Sequence, residues 1–301
     1  MWVINERFGE ETSFRPTIRE KDQFRGVAAR LGALGIDIPA HWARYSDAAT
    51  ALRRCPAPSL PTPAVLNGCI HQQDDYAELY EACRARNLYL LNSPEEYARA
   101  HSLVLAYPRL GALTPQTRFA SRPEELRAAA EAIGLPVFVK GAVQSLKIRG
   151  WSRCVAESVE ALDRIAHDLW DDYDLSAGVI AVRALAPLRH VRRKPDGFPI
   201  GREFRVFLYR GEVLACGYYW SGEDELSSLS EDEERAVRAL ARAAAAAVEV
   251  PYLIVDIGQR EDGRWIVIEC GDPQSCGFGH VQIEALVAAL IAAVERARPG
   301  V

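Results

Sequence analysis

The stretch that most constrains this chain is Tyr252–Asp272, YLIVDIGQREDGRWIVIECGD. Two β-rich runs, Tyr252–Ile257 and Trp265–Glu269, flank Asp262-Gly263, a pair suited to a two-residue type I′ hairpin turn. With that pair as the loop, Glu261 faces Arg264, and Asp256 lies directly opposite Glu269 on one face, with Cβ atoms roughly 5 Å apart. Two carboxylates so placed in apolar strands repel one another and lose hydration. A shared proton or a hard cation between them relieves this; otherwise the acids sit on the solvated face of an ordinary hairpin. Asp272, just past the strand end, offers a third oxygen ligand.

A chain of 301 residues can bury a large core and is expected to form two or three subdomains. A net charge of only −5 suggests no polyanion, so no nucleic-acid partner is expected. The first residues, MWVINERFGEE, lack a basic start and a long apolar core, which predicts no signal peptide. No run reaches the roughly 20 apolar residues of a membrane helix. In LARAAAAAVEVPYLIV, Arg242 and Glu249 interrupt the apolar run, which reads as an alanine-rich helix followed by a strand. The seven cysteines are odd in number and lack CxxC spacing. That pattern predicts reduced thiols in a cytoplasmic protein and argues against a disulfide framework or a zinc site.

The first hundred residues alternate strand and helix signals, the pattern of an open α/β layer ending near residue 105. Met1–Asn5, Ala64–Asn67 and Leu88–Leu91 read as strands; Lys21–Leu34 and Asp75–Arg86 read as helices, and in NSPEEYARAH Asn92 or Ser93 caps a third. Tyr107–Pro115 reads as a connector, followed by a helix capped at Ser121 and ended by Gly134 and Pro136. Val137–Val139 is a buried strand terminating in Lys140. A loop, GAVQSLKIRG, carries Lys147 and Arg149 to the returning strand WSRCVA. This is either a flap that closes over phosphates or a basic tip held in water. Helix Ser158–Trp170 and strand Gly178–Arg183 follow. The basic run Arg189–Arg193 is a loop or ragged strand near an anion, or equally a solvated segment. In REFRVFLYRGEVLACGYYW a hairpin turns at Arg210-Gly211, and alternation puts Glu203, Arg205 and Phe207 on the face opposite Phe204, Val206 and Leu208. Inward Glu and Arg demand partners or a ligand. Helices Ser228–Glu249 and Val281–Arg298 close the pattern.

A lysine at a strand end (PVFVK), a basic loop, EFRVF, a long helix and VDIG…WIVIEC together resemble the ATP-grasp fold, closest to the branch named for one arginine and two lysines. Arg205, Lys140 and Lys147 are the candidates for those three. The resemblance implies an α/β domain over 1–105, a middle subdomain with a phosphate flap over 106–185 and a C-terminal subdomain with a metal site over 186–301, the two α+β subdomains sandwiching ATP. It further implies that Lys140 and Lys147 contact the phosphates. Val182, Arg183, Ala184 and Leu185 would line the adenine pocket, with Glu203 also on the nucleotide. Arg205 would act with Lys147 on the transferred phosphoryl group. Asp256, Glu269 and Asp272 would hold Mg²⁺, with Mn²⁺ as the alternative. Three positions depart from the pattern: Gly271 stands where the family usually has asparagine, so Asp272 or Gln274 substitutes or a ligand is lost. The segment VRALAP lacks the usual ribose-binding glutamate, and the lysine often found at the start of the middle subdomain has no clear counterpart after His101.

The activity so implied is that of a carboxylate–amine ligase working through an acyl phosphate, with small-molecule, peptide or protein substrates. Two alternatives are a kinase acting on a hydroxyl and a binding module whose catalysis has decayed, the latter favoured by Gly271 and the missing ribose acid. A homodimer is the default expectation. Of the six histidines, His280, close after the acidic run, is the one to watch, and a structural role is the expectation for it.

Overall fold

The strand signals assemble into three four-stranded sheets, in a computed structural model that describes residues 1–8, 16–195 and 197–297. The first sheet has the order β2-β1-β3-β4 and is parallel throughout, from β1 (Trp2–Arg7), β2 (Leu34–Pro39), β3 (Thr62–Asn67) and β4 (Leu88–Leu90). Helices α1 (Pro16–Arg30), α2 (Ala48–Ala51) and α3 (Gln73–Arg84) make its connections. Strand β2 begins at Leu34, the last residue of the expected helix, and runs on through a stretch that the sequence signals leave unassigned. Gly32, at φ +85°, ends α1 early, and burial of Ile36 and Ile38 recruits LGIDIP to the sheet edge. Helix α4 (Pro94–His101) carries a capping box in which Ser93 and Glu96 satisfy each other's backbone N–H groups.

The first residues of the expected connector, Tyr107–Leu110, instead end a helix, α5 (Leu103–Leu110), despite the internal Pro108. Its buried Ala106 and Leu110 join the core beneath the third sheet, and that packing outweighs the hydrogen bond proline removes.

The second sheet runs β5-β8-β6-β7, antiparallel, from β5 (Thr117–Ala120), β6 (Val137–Gly141), β7 (Val155–Ala156) and β8 (Ile180–Ala184). Helices α6 (Pro123–Ile133) and α7 (Val159–Trp170) cover its apolar face, and α8 (Tyr173–Ser176) is a single turn before β8. The N-cap of α6 is Arg122 rather than Ser121; Glu125 reaches back to the Ser121 N–H. The returning strand WSRCVA shrinks to Val155–Ala156, because Lys147–Arg149 and Trp151–Arg153 coil into two 3₁₀ turns. The basic run forms β9 (His190–Arg193), paired with β10 (Pro199–Gly201).

The third sheet runs β12-β11-β13-β14, from β11 (Glu203–Tyr209), β12 (Glu212–Tyr218), β13 (Tyr252–Gln259) and β14 (Trp265–Gly271). The β11–β12 turn is the expected Arg210-Gly211, with φ +50° and +79°. Phe204, Val206 and Leu208 pack beneath α9 (Glu231–Val248), which begins in a Ser230/Glu233 capping box. Phe207, on the other face, meets Leu286, Val287 and Leu290 of α10 (Ile283–Arg296) and Phe24 of α1, so one core joins the first and third sheets. Arg298, at the end of the last expected helix, lies outside the described residues. No helix among the described residues is long and apolar enough to cross a membrane.

Asn92 locks the first layer to the third. Fully buried, it donates to the Tyr252 carbonyl and to Asp272 Oδ2, both at 2.7 Å, and accepts from the Tyr252 N–H at 2.9 Å. Asn92→Ala leaves these buried groups unpaired, at about 1–3 kcal/mol each. Urea unfolding is expected to show a loss of at least about 2 kcal/mol; a loss below about 0.5 kcal/mol, the scale of a neutral surface change, contradicts this role.

Candidate active site

Three side chains stand in a row across the third sheet. Arg205 of β11 is in register with Asp256 of β13, and Asp256 with Glu269 of β14. The facing carboxylates expected from the sequence are therefore formed, but by a different route. The β13–β14 loop is one residue longer than Asp262-Gly263: the Arg260 N–H donates to the Arg264 carbonyl, and Gly263 sits at φ +84°. A bulge in β14 at Ile268, between the partners of Asp256 and Ile257, absorbs the extra residue and restores the pairing.

Protein cations, rather than a shared proton, meet the carboxylates. Arg205 grips Asp256 through both oxygens, Nε to Oδ1 and Nη2 to Oδ2, each at 2.8 Å, and donates Nη1 to the Gly277 carbonyl at 2.6 Å. Lys140 reaches across from β6 and donates to Glu269 Oε2 at 2.9 Å. Lys147 lies 3.9 Å from Glu269 Oε1 and donates to the Tyr219 hydroxyl at 2.5 Å. The Tyr219 ring lies beneath both cations, 4.6 Å from the Arg205 guanidinium and 4.8 Å from Lys147 Nζ. Burial opposes charge on Glu269, yet Lys140, Lys147 and Arg205 outweigh it and hold that carboxyl well below the usual range. Burial likewise works against the Lys147 ammonium, but Tyr219, Glu269 and Asp256 raise its pKa on balance.

A cavity of about 120 Å³ opens between the second and third sheets beside this row. Lys140, Lys147, Arg183, Ala184, Leu185, Glu203 and Glu269 line it, so most of the nucleotide-binding set expected from the sequence converges there. Val182 does not. It is buried in the core of the second sheet, and its backbone is spent on pairing with Arg118 and Val139. Arg183 crosses the cleft instead, donating to the Ile268 carbonyl at 3.0 Å and to Thr114 Oγ1 at 2.8 Å.

Asp272 also stands apart from the expected metal set. Its carboxylate accepts from Asn92 and from both the backbone and side-chain nitrogens of Gln274, 2.7–2.9 Å away. Gln274 is tied in turn to the Leu66 N–H and Tyr76, so both proposed substitutes for the missing asparagine belong to the joint with the first layer. Burial, against those hydrogen bonds, raises the Asp272 pKa to about 6. His280 is exposed, its ring edge on Tyr218.

The sequence reading missed the aromatic wall. Trp151, Phe198 and Trp220 line the cavity, and Trp220 Nε1 donates to Glu203 Oε1 at 3.2 Å. The signal was the run Tyr218-Tyr219-Trp220, which ends β12 and continues past it beside the strand bearing Arg205. Gly201 completes this wall: a Cβ there would lie 2.6 Å from Glu203 Oε1.

An α/β layer followed by two antiparallel sheets that close on a cleft of lysines, arginines and paired carboxylates is the ATP-grasp architecture. The chain belongs to an ATP-grasp domain family, the third of the clade named for one arginine and two lysines, whose model matches residues 132–290. The D-alanine–D-alanine ligase of Bacillus anthracis, complexed with ATP, shares the fold with a TM-score of 0.63 and 11% identity over 100% of this chain and 99% of that one. A RimK domain ATP-grasp protein from Sphaerobacter thermophilus gives 0.61 and 14% over 98% and 99%. The ATP-grasp ligase PsnB, complexed with a minimal precursor, Mg and ADP, gives 0.57 and 17% over 98% of each chain. No curated protein matches the sequence.

Glu203 makes the site pH-sensitive. Burial, with Asp256 and Glu269 adding to it, raises its pKa from 4.5 to about 7. Between those values the folded chain holds a proton that the unfolded chain has released, so stability falls as pH rises through the window. Between pH 5 and pH 8 the loss is expected to be roughly 2–3 kcal/mol. Glu203→Gln should remove it, which urea unfolding at pH 5 and pH 8 would detect; parallel pH profiles for the two proteins would contradict it.

Proposed function

We propose that this protein is an ATP- and Mg²⁺-dependent carboxylate–amine ligase that works through an acyl phosphate. One observation carries the reading: Lys140, Lys147 and Arg205 converge on Asp256 and Glu269 at the edge of a cavity walled by aromatic side chains. Three cations facing two carboxylates leave a net positive site, suited to the oxygens of a polyphosphate. Trp220, Phe198 and Leu185 offer the apolar surface an adenine needs. The three sheets would act as the units 1–105, 106–185 and 186–301, with α5 bridging the first boundary.

The donor chemistry fits a hard cation. Asp256 and Glu269 are facing oxygen donors, and Glu269 Oε1 has Lys147 only at 3.9 Å. Bound there, Mg²⁺ would neutralise phosphate charge between the carboxylates and the nucleotide. Gly271 supplies no side-chain oxygen, so these two residues would form the protein's metal set. At about 120 Å³ the cavity is smaller than the roughly 300 Å³ of typical small-molecule pockets. A nucleotide therefore enters as the 3₁₀ turns carrying Lys147 swing out.

In the reaction, a substrate carboxylate oxygen bonds to the γ-phosphorus as the bond to ADP breaks. An amine nitrogen then attacks the acyl carbon, phosphate leaves, and the amine gives up a proton. Lys140 and Lys147 hold phosphate oxygens while Arg205, freed from one Asp256 oxygen, stabilises charge on the transferred group. The aromatic wall excludes water, which would otherwise hydrolyse the acyl phosphate. The acceptor's place is a larger cleft of about 800 Å³ between the first and second sheets, lined by Lys21, His71, His101, Gln144 and Asp174 among others. His101 links the two spaces: it lines the cleft, and burial lowers its pKa to about 4 and keeps it neutral, with Glu269 and Lys140 acting on it in opposite directions.

Incubation with ATP, Mg²⁺, pools of amino acids and peptides, and hydroxylamine is expected to release ADP and trap a hydroxamate. Glu269→Gln should lower turnover at least about 100-fold, the scale of losing one electrostatic catalytic group. Lys140→Ala should chiefly raise the KM for ATP. ADP release that yields a phosphate ester inert to hydroxylamine would replace the ligase with a kinase. Full activity in Glu269→Gln would remove that residue from the metal site.

A further inference from the structure

A second cluster of metal-binding side chains lies away from the nucleotide cavity, in the wall of the larger cleft. Glu6, the last residue but one of β1, lies beside the end of β3, where Asn67 pairs with Asn5 and the chain continues Gly68-Cys69-Ile70-His71. The Glu6 carboxylate lies against Gly68 so closely that any side chain at that position would collide with it. Glu6 Oε2 accepts the Cys69 N–H at 2.7 Å, which fixes the carboxylate beside the thiol. The other oxygen, Oε1, lies 3.0 Å from His71 Nε2, and both side chains are almost wholly buried. That spacing would suit an ion pair, but the two atoms are not aligned for a hydrogen bond, and neither makes one elsewhere. Ligand atoms of Glu6, Cys69 and His71 all lie within 4.8 Å of one another. A fourth donor stands beside them: His41 Nδ1 is 3.8 Å from Cys69 Sγ.

We propose that Glu6, Cys69 and His71 bind a divalent cation of the zinc class, with His41 or a ligand from the cleft in the fourth position. Two donors each about 2.0 Å from a tetrahedral ion stand about 3.3 Å apart, within a few tenths of the spacing of Glu6 Oε1 and His71 Nε2. A thiolate, an imidazole and a carboxylate form a borderline-soft set that selects zinc over Mg²⁺ or Ca²⁺, unlike the all-oxygen pair Asp256 and Glu269. The Cys69 N–H bond to Glu6 is the kind of outer contact that orients a metal-bound carboxylate. Cys69, His71 and His41 all line the cleft, so the open position faces its contents. Cysteine spacing alone argued against zinc because the donors come from separate segments of the first layer. This site is independent of the nucleotide reading and stands whether or not the protein is a ligase.

The test is a Co²⁺ titration of the tag-free full chain in excess Mg²⁺, followed by optical absorption. The expected result is one equivalent of Co²⁺ bound, with a thiolate-to-cobalt charge-transfer band and the strong ligand-field bands of four-coordination. Cys69→Ser, nearly isosteric, should abolish the charge-transfer band and weaken Co²⁺ binding at least ten-fold, with the circular dichroism spectrum unchanged. His71→Asn should weaken binding to a similar degree. Absence of a thiolate band in the unaltered protein would overturn the site and leave Glu6 and His71 as a buried ion pair. A band undiminished in Cys69→Ser would overturn it equally, since the cation would then sit on another cysteine.

Discussion

The structure depends on how a buried carboxylate and a half-buried one can stand side by side. Asp256 is 2% exposed and faces the half-buried Glu269 across a sheet whose neighbouring positions are mostly apolar. Left alone, such a pair would lose hydration and repel, and one member would hold a proton. Arg205 on one side and two lysines on the other supply the compensating charge. Removing one partner from a buried pair typically costs about 3–5 kcal/mol, because the other charge stays behind unpaired. Each member of the row therefore constrains its neighbours, which keeps the site organised without a ligand.

The same contacts set the relation of the sheets. Lys140 belongs to the second sheet and Glu269 to the third, so the ion pair spans the cleft. Arg183 does the same through the Ile268 carbonyl, and Thr114 Oγ1 donates to the Val267 carbonyl at 2.9 Å. On the far side, Asn92 and Asp272 fasten the first layer to the end of β14. The strand bearing Glu269 is thus held from two directions, and the polar groups at the cleft are also the joints between layers. Any ligand that draws Lys140 or Lys147 away from Glu269 competes with contacts that close the cleft, which couples binding to opening.

Much of this was legible in the sequence because strands have a period of two. The alternation in EFRVF placed Glu203 and Arg205 on the face away from Val206 before any contact was known. The pairing of Asp256 with Glu269 was also legible, although the loop was read one residue short, since the bulge at Ile268 cancelled the difference. What stayed hidden depended on distant partners. Asp272 was read as a metal ligand, but Asn92, 180 residues earlier in the chain, takes its carboxylate. The helix through Pro108 exists because of the core it covers, against its own local signal. Strand β2 shows only two buried apolar residues after a helix end, too little periodicity to separate it from the helix before it. Tyr219 matters through the two cations above its ring, which only the assembled sheet brings together.

The central claim is that the row Arg205–Asp256–Glu269, with Lys140 and Lys147, receives a magnesium-bound nucleotide. Calorimetric titration with a non-hydrolysable ATP analogue, with and without Mg²⁺, tests it without knowledge of the acceptor. The account predicts a single site whose affinity falls at least ten-fold when Mg²⁺ is withheld and by a similar factor in Asp256→Asn. Absence of binding, or binding indifferent to both Mg²⁺ and Asp256→Asn, would contradict it.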